Sequence, residues 1–332
     1  APIYAEDVEE IVVTALKRSS TVVDTPVAIT AISSTELEDK GITSMHDLKH
    51  LVPIINFTKV LWAQNITISG IGQFNGNPGV SVSTDGIFQS RAHSSQLGEM
   101  DLERVEVLRG PQGTLYGSNA LAGLINIVSN DPVEDFYSEL SGSLSEFGGR
   151  DLSAIVSGSN SQGFGYRFGL KNSQSDGYIN NIYLNKDNTN NIDETIARGK
   201  LTKESNNLDL TLNIFYADID NGYDAFSLDN TRTTYSDEPG NDRQKTSAAS
   251  IRLEKKLKNN NTLELLLSYA DSKLGYAYDE DWSNKGICIN TACDSSIFGF
   301  DWWYSSYDSF NRDNKNHSID LRFISNSNNC LL

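Results

Sequence analysis

After residue 135 the sequence alternates apolar and polar residues with a period of two, and this pattern constrains the fold more than any other feature. It is clearest at 208–216 and recurs at 164–170, 263–269 and 319–323. Successive side chains of a β-strand point to opposite faces, so a period of two predicts strands with one apolar and one polar face. We expect about eight such strands of roughly 9–11 residues each, the length that crosses a bilayer at a tilt.

The connections between these strands alternate in length. Short polar turns are predicted at 159–163, 204–207 and 258–261, and long Asp- and Asn-rich loops at about 173–194, 219–245 and 273–315. Only the connection at 147–150 is short where a long one is expected. Alternation of this kind places the long loops at one end, which is typical of outer-membrane barrels. The sequence therefore favours antiparallel transmembrane β-barrel strands, with a soluble β-sandwich as the alternative.

Composition excludes several classes of partner. The net charge is −17, from 44 acidic and 27 basic residues. Nucleic acid and anionic lipid both favour a basic protein surface, so neither is an expected partner. The sequence also lacks the run of about 18 apolar residues that a membrane helix needs.

The sequence before residue 136 has a different character, with short strands and two short helices. Ser33–Glu36 has the spacing of a capping box, with Gly41 as a plausible stop. A second helix opens near Ser44 and ends at Pro53. Asp85–Gly86 lies between two extended runs and predicts a hairpin turn. These signals together indicate a small α+β domain.

The segment Asp101–Val128 is the most specific stretch of the sequence. We expect a strand at Arg104–Leu108, a turn at Arg109–Pro111 and a second buried strand at Leu124–Val128. Gly110, Gly113 and Gly117 would allow tight or left-handed backbone between the strands. A glycine-rich turn can hold phosphate, but no Gly-Lys-Ser/Thr follows, so this is not a P-loop.

This segment resembles the signature that ends the plug domain of TonB-dependent outer-membrane receptors. The resemblance extends in order to 9–15, 68–72 and the Asp85–Gly86 hairpin. It implies a plug domain at 21–135 and the N-terminal part of a β-barrel at 136–332. The signature residues that it implies are Asp85, Gly86, Arg104, Glu106, Arg109, Gly110, Pro111, Gly113, Tyr116, Gly117, Asn119, Gly123 and Asn126.

The N-terminal element resembles the TonB box of these receptors. It consists of Glu10, Ile11, Val12, Val13, Thr14 and Ala15. Its β-branched residues favour an extended chain that can add as a strand to the sheet of a partner. The alternative is an ordinary first strand of the plug. Residues 1–5 have features of a signal-sequence remnant, so 1–20 is predicted to hold that remnant and the box.

One residue departs from the family pattern. At 68–70 the family usually carries an arginine that helps to hold the plug inside the barrel, whereas this sequence has Ser69. Arg109 matches the second plug arginine of the family. The resemblance therefore leaves the electrostatic contact between plug and barrel in doubt at one of its two positions.

The resemblance implies energy-coupled uptake of a scarce nutrient complex across the bacterial outer membrane. The expected partners are the TonB C-terminal domain, outer-membrane lipid and a ligand, with a ferric siderophore favoured over cobalamin, haem or oligosaccharide. The plug and the box would face the periplasm. A non-transporting binding or signalling protein is the alternative from another class.

Catalysis is not expected. The four histidines lack His-Glu-x-x-His spacing, and no nucleophile elbow is present. His46 and His50 could share a metal but are assigned to the surface or to packing, and Asp279–Asp281 is assigned to a solvated loop. No cofactor or bound metal is predicted.

The last long loop carries two further candidate features. Cys288 and Cys293 are predicted to form a local disulfide, with zinc as the alternative. Trp282, Trp302 and Trp303 are candidate ligand contacts, although such aromatics also form interfacial girdles or pack within loops. Plugged barrels have about 22 strands, so we expect the chain to be a sequence fragment or a truncated gene product with an incomplete barrel.

Overall fold

The computed structural model divides the chain into two compact units, Ala1–Asp131 and Pro132–Leu332. The residues that the structure describes are 12–14, 17, 20–21, 25, 27–40, 42, 45–60, 63–72, 79–89, 100–117, 120–224, 226–227, 231–258, 261–287 and 305–325. Among them, no helix combines the length and the apolar character needed to cross a membrane.

The first unit is built from short strands and short helices, which confirms the predicted α+β domain. Its strands are β1 (Val12–Val13), β2 (Ser20–Thr21), β3 (Ile29–Ser33), β4 (Ile55–Val60), β5 (Ala63–Ile68), β6 (Val80–Thr84), β7 (Ile87–Phe88), β8 (Leu102–Arg109) and β9 (Gly123–Ser129). Its helices are α1 (Ser34–Asp39), a 3₁₀ helix (Met45–His50) and α2 (Gly113–Tyr116). The main sheet has the order β3-β8-β9-β6-β7, in which β6 is parallel to β9 and the other pairs are antiparallel.

The core of the first unit lies on one face of this sheet. Val105 pairs with Ile127 and Val107 pairs with Ile125, and all four side chains are buried. Leu37 of α1, together with the 3₁₀ helix and the β4–β5 hairpin, packs in the same cluster. Each such side chain contributes about 1.5–3 kcal/mol on burial, so the paired β8 and β9 stabilise the centre of the unit.

Local signals in the sequence fix two boundaries as predicted. The Ser33 hydroxyl accepts a hydrogen bond from the Glu36 N–H at 3.2 Å, which caps α1. Asp85 and Gly86 have φ values of +49° and +80°, and Thr84 pairs with Ile87 across them. Two consecutive left-handed residues define the predicted two-residue hairpin turn.

The second unit is dominated by an eight-stranded antiparallel sheet, which confirms the predicted number and direction of strands. The sheet strands are β10 (Tyr137–Ser145), β11 (Gly149–Ser159), β12 (Phe164–Ser175), β14 (Ile192–Lys203), β15 (Leu208–Tyr223), β17 (Gly240–Lys256), β18 (Thr262–Asp279) and β19 (Tyr307–Ile324), in that order. Two short strands within the long loops, β13 (Asn180–Asn181) and β16 (Thr233–Thr234), form a separate parallel pair.

The first connection is short, as predicted, and the later connections alternate between short and long, but the predicted long loops extended too far into the strands. The short connections are 146–148, 160–163, 204–207 and 257–261, and the long ones are 176–191, 224–239 and 280–306. β18 and β19 each have 18 residues and extend well into the segment predicted as a loop at 273–315. Polar residues there continue the backbone ladder, because strand pairing requires the main chain and not an apolar side chain.

The two faces of the large sheet differ in polarity. Residues that oppose one another across antiparallel strands share a face. One such row is polar and buried, and consists of Arg167, Lys200, Asn213 and Ser250. The adjacent row on the opposite face carries Phe168, Ile214 and Tyr269, which are 42%, 45% and 48% exposed. A polar inner and an apolar outer face are typical of a membrane barrel wall.

Candidate coupling site and loop site

The described part of the predicted TonB box, residues 12–14, is bound to other strands of the first unit. Val12 and Val13 pair with Thr21 and Ser20 in a short antiparallel ladder. The Thr14 backbone N–H donates a hydrogen bond to Glu106 Oε1 at 2.8 Å, and the Thr14 hydroxyl lies 3.3 Å from the same oxygen. Glu10, Ile11 and Ala15 lie outside the described residues.

Glu106 is the centre of this contact. It lies on β8 opposite Asn126 of β9, and its side chain is fully buried. Arg104 Nε donates to Glu106 Oε1 at 2.7 Å, and Asn126 Nδ2 donates to Glu106 Oε2 at 3.0 Å. A buried carboxylate requires such partners, because desolvation penalises an unpaired charge. We call Thr14, Arg104, Glu106 and Asn126 the Glu106 cluster.

The turn after β8 contains three glycines for which tight or left-handed backbone was predicted. Gly110 and Gly117 have φ values of +85° and +78°, a region that favours glycine. Gly113 does not share this geometry, since it begins the helix α2 and an added Cβ would meet open space. Its backbone therefore forms part of a tight helical turn and is not left-handed. Pro111 is exposed, and Tyr116 lies under the Lys17 ammonium, 5.0 Å from its ring centroid.

Gly123 is required by close packing. A Cβ at this position would lie 2.7 Å from Ile68 Cδ1 and closer still to the Leu108 carbonyl oxygen. β9 can therefore approach β8 and β5 here only because this residue has no side chain.

The two positions of the family arginines are both exposed. Arg109 is exposed at the end of β8, where its guanidinium donates to Thr30 Oγ1 at 2.7 Å. Ser69 is exposed in a tight turn with φ +53°, closed by hydrogen bonds between Ile68 and Ile71. Asn119 lies outside the described residues.

The long-loop end of the second unit carries an aromatic cluster. The Trp282 ring stacks on Phe226, with centroids 4.9 Å apart and planes 12° apart, and Trp282 is 37% exposed. Tyr223 and Tyr276 lie beside it, with centroids 5.1 Å apart. Ligand contact by Trp282 stays a prediction. Trp302, Trp303, Cys288 and Cys293 lie outside the described residues.

The prediction that Asp279–Asp281 lies in a solvated loop was wrong for two of its three carboxylates. Asp279 is the last residue of β18, and Asp279 and Asp281 are 6% and 4% exposed, while Glu280 is exposed. Asp279 Oδ1 accepts hydrogen bonds from the N–H groups of Asp281 and Trp282, at 3.1 and 3.0 Å. This tight turn folds the carboxylates inward.

The pKa of Asp279 in this turn is unusual for an aspartate. Burial and the adjacent Asp281 carboxyl raise the pKa of Asp279 to about 8, and the Ser236 hydroxyl, which faces it, opposes part of that rise. Both effects disfavour the charged form. The sequence pattern does not predict this burial, because it depends on contacts with the distant segment 235–239.

Comparison with known proteins agrees with this geometry. Residues 21–124 match the family model of the TonB-dependent receptor plug domain. The pesticin receptor of Yersinia pestis is 36% identical over 132 residues, which cover 38% of this chain and 20% of that protein. The iron-regulated outer membrane virulence protein of Vibrio cholerae is 31% identical over 141 residues, which cover 39% and 22%.

Solved structures share the fold over more of the chain. The ferric yersiniabactin uptake receptor FyuA from Yersinia pestis has a TM-score of 0.67 and 22% identity, over 78% of this chain and 42% of that one. The ferric-catecholate import receptor Fiu from Escherichia coli has a TM-score of 0.61 and 20% identity, over 91% and 46%.

The fold is that of a plug domain followed by the strands of an incomplete β-barrel. Residues 21–124 match the plug domain of TonB-dependent receptors, and the fold of the chain is similar to that of solved receptors of this family. It spans about a fifth of the curated relatives that it matches and less than half of the solved ones.

Proposed function

We propose that this chain is part of an outer-membrane receptor that imports a ferric siderophore with energy supplied through TonB. Residues 1–20 would carry the signal remnant and TonB box, 21–135 the plug, and 136–332 the first barrel strands. The protein would bind and move its ligand without making or breaking a bond.

The single observation that carries the proposal is the hydrogen bond from the Thr14 N–H to the buried Glu106 carboxylate. The segment before this bond is extended and rich in β-branched residues, and Thr14 joins it to the plug. A force that TonB applies to the segment would therefore reach the plug. Val12 is 50% exposed, and among the described residues β1 pairs only with β2, so the other edge of β1 is open to a partner strand.

The faces of the large sheet support an outer-membrane location. The face that carries Phe168, Ile214 and Tyr269 exposes large apolar side chains, which water would disfavour and lipid would accept. In such barrels the short turns face the periplasm and the long loops face outward. The loops 176–191, 224–239 and 280–306 would then be extracellular, and the plug and box would face the periplasm.

The ligand class is supported by the relatives. They include an uptake receptor for ferric yersiniabactin and catecholate siderophore receptors. A vitamin B12 transporter of Vibrio vulnificus is also among them, at 31% identity over 134 residues. Cobalamin is therefore the alternative ligand, and the experiment must distinguish it from a ferric siderophore.

The test is growth of a strain that lacks the receptor gene, complemented with the complete gene or with Val12→Pro. We expect the complete gene to restore growth on a ferric siderophore under iron limitation. Val12→Pro should retain siderophore binding but lose uptake, because proline removes a backbone donor from the strand. Val12→Ala is the matched control and should retain uptake.

Two results would contradict the proposal. Uptake that is unaffected by Val12→Pro, with no cross-link between a cysteine at position 12 and TonB, would show that this segment does not couple. Restored growth only on cobalamin would show that the ligand class is wrong while the receptor class is right.

A further inference from the structure

Three carboxylates from separate parts of the chain meet at the long-loop end of the second unit. Asp237 precedes β17, whereas Asp279 ends β18 and Asp281 follows it. Each offers an oxygen, and these oxygens all lie within 4.8 Å of one another. The Asp237 N–H also donates to the Ser283 carbonyl at 3.0 Å, which fixes the two segments against each other.

The second observation is that buried oxygens here have no hydrogen-bond partner. Asp279 Oδ2 and Asp281 Oδ2 are inaccessible and unpartnered, while the Oδ1 atoms of both residues accept backbone N–H groups. The hydroxyl oxygens of Ser236 and Ser283 are likewise buried and without a hydrogen bond of ordinary geometry, and both residues are 1% exposed.

Buried polar atoms are nearly always satisfied in proteins, and a buried unpaired charge is strongly disfavoured. Within the described residues, the ion pairs made by lysine and arginine side chains go to other carboxylates and not to these three. A cation that accepts several oxygen ligands would satisfy all of these buried oxygens at once.

We propose that Asp237, Asp279 and Asp281, with the hydroxyls of Ser236 and Ser283, form a binding site for a divalent calcium ion. Calcium takes six to eight oxygen ligands in flexible geometry, whereas magnesium demands a near-ideal octahedron and retains water. All five side chains offer oxygen and none offers nitrogen or sulfur, which disfavours zinc and copper. Two carboxylates held by backbone N–H groups give the site a fixed shape before an ion enters.

The ion would join the loop before β17 to the turn after β18. That turn carries Trp282, whose N–H donates to Asp279 Oδ1 and whose ring stacks on Phe226. Calcium would therefore order the exposed aromatic surface at this end of the sheet. Because Trp282 lies within the turn, its indole also provides a spectroscopic probe of the site.

The experiment uses the complete receptor, purified in detergent and freed of metal with a chelator. Terbium ion is titrated as a luminescent calcium analogue, with excitation of tryptophan, and is then competed with calcium or magnesium. We expect one saturable site that calcium empties at lower concentration than magnesium. Asp279→Asn and Asp281→Asn should each weaken binding about tenfold or more, since affinity depends on the number of charged ligands.

Glu280→Gln is the matched control, because it removes the same charge from the residue between the two ligands but its side chain is exposed. Its titration should resemble that of the wild type. Absence of a saturable site in the wild type, or equal affinity in wild type and both Asn variants, would overturn the proposal. If a variant does not fold, calcium binding to the wild type is measured directly by titration calorimetry. A saturable calcium site supports the proposal, and its absence contradicts it. Neither readout involves uptake, so the outcome is separable from that of the transport test.

Discussion

The Thr14 N–H and the Glu106 carboxylate, 92 residues apart in sequence, form a 2.8 Å hydrogen bond. The donor is a backbone group and the acceptor is a buried charge, so the bond depends little on the side chain at position 14. Hydrogen bonds to charged groups contribute about 1.5–3 kcal/mol, more than neutral ones. The contact is therefore strong enough to set how often the N-terminal segment leaves the plug.

Substitution of Thr14 by proline should release this segment. Proline lacks the N–H, so the ratio of bound to free segment should fall about tenfold or more. Arg104 and Asn126 still satisfy Glu106, so the plug should stay folded. The measurement is the mobility of a spin label at position 12, by electron paramagnetic resonance without TonB.

Thr14→Ala is the control, because it retains the N–H and loses only the hydroxyl contacts at 3.3 Å. It should leave the label as immobile as in the wild type. Equal mobility in the Pro and Ala variants would show that this bond does not hold the segment.

Gly123→Ala should destabilise the plug by about 1–3 kcal/mol, because the new methyl group overpacks the junction of β8, β9 and β5. Gly113→Ala should be neutral or stabilising by up to about 1 kcal/mol, because its Cβ meets open space. Pulse proteolysis across a urea series gives the free energy of unfolding of both. Similar midpoints for the two variants would contradict the packing argument.

Ile214→Arg should impair insertion of the barrel. A cation on the lipid face costs about 2–4 kcal/mol near the bilayer centre and less near its surface. The measurement is folding of the complete receptor into lipid vesicles, followed by heat-modifiable gel mobility. Ile214→Leu should insert as the wild type does, and equal insertion of the Arg variant would mean that this face does not meet lipid.

The turn at Asp279 should weaken as the pH rises when chelator is present. The pKa of Asp279 is raised from 3.8 to about 8 in the folded protein, so the folded state retains a proton that the unfolded state releases. Its stabilising contribution is complete below about pH 4 and is lost as the pH rises through about 8. Protease cleavage within 280–287 should accelerate over that range, and Asp279→Asn should remove the dependence.

The sequence predicts features that depend on neighbouring residues and misses those that depend on distant ones. Period-two alternation predicts the eight strands, and Asp85–Gly86 predicts its hairpin, because strand faces and turn angles are local properties. The same alternation does not show how far pairing continues, so the polar ends of β18 and β19 were assigned to loops.

Distant contacts explain the remaining differences at the candidate sites. Glu106 is recognisable as part of the plug signature, but no local pattern indicates that it binds Thr14. The burial of Asp279 likewise depends on contact between two loops, where the Asp237 N–H donates to the Ser283 carbonyl.

The short ladder between β1 and β2 has a mechanical consequence. A chain pulled from its N-terminal side meets two paired residues, Val12 and Val13, and then the hydrogen bond from Thr14 to Glu106. These few contacts break at a lower force than the pairing of β8 with β9. Small groups of contacts open locally before a packed sheet does. The N-terminal contacts of the first unit are therefore its weakest, and tension that breaks them acts next to β8, an interior strand of the sheet.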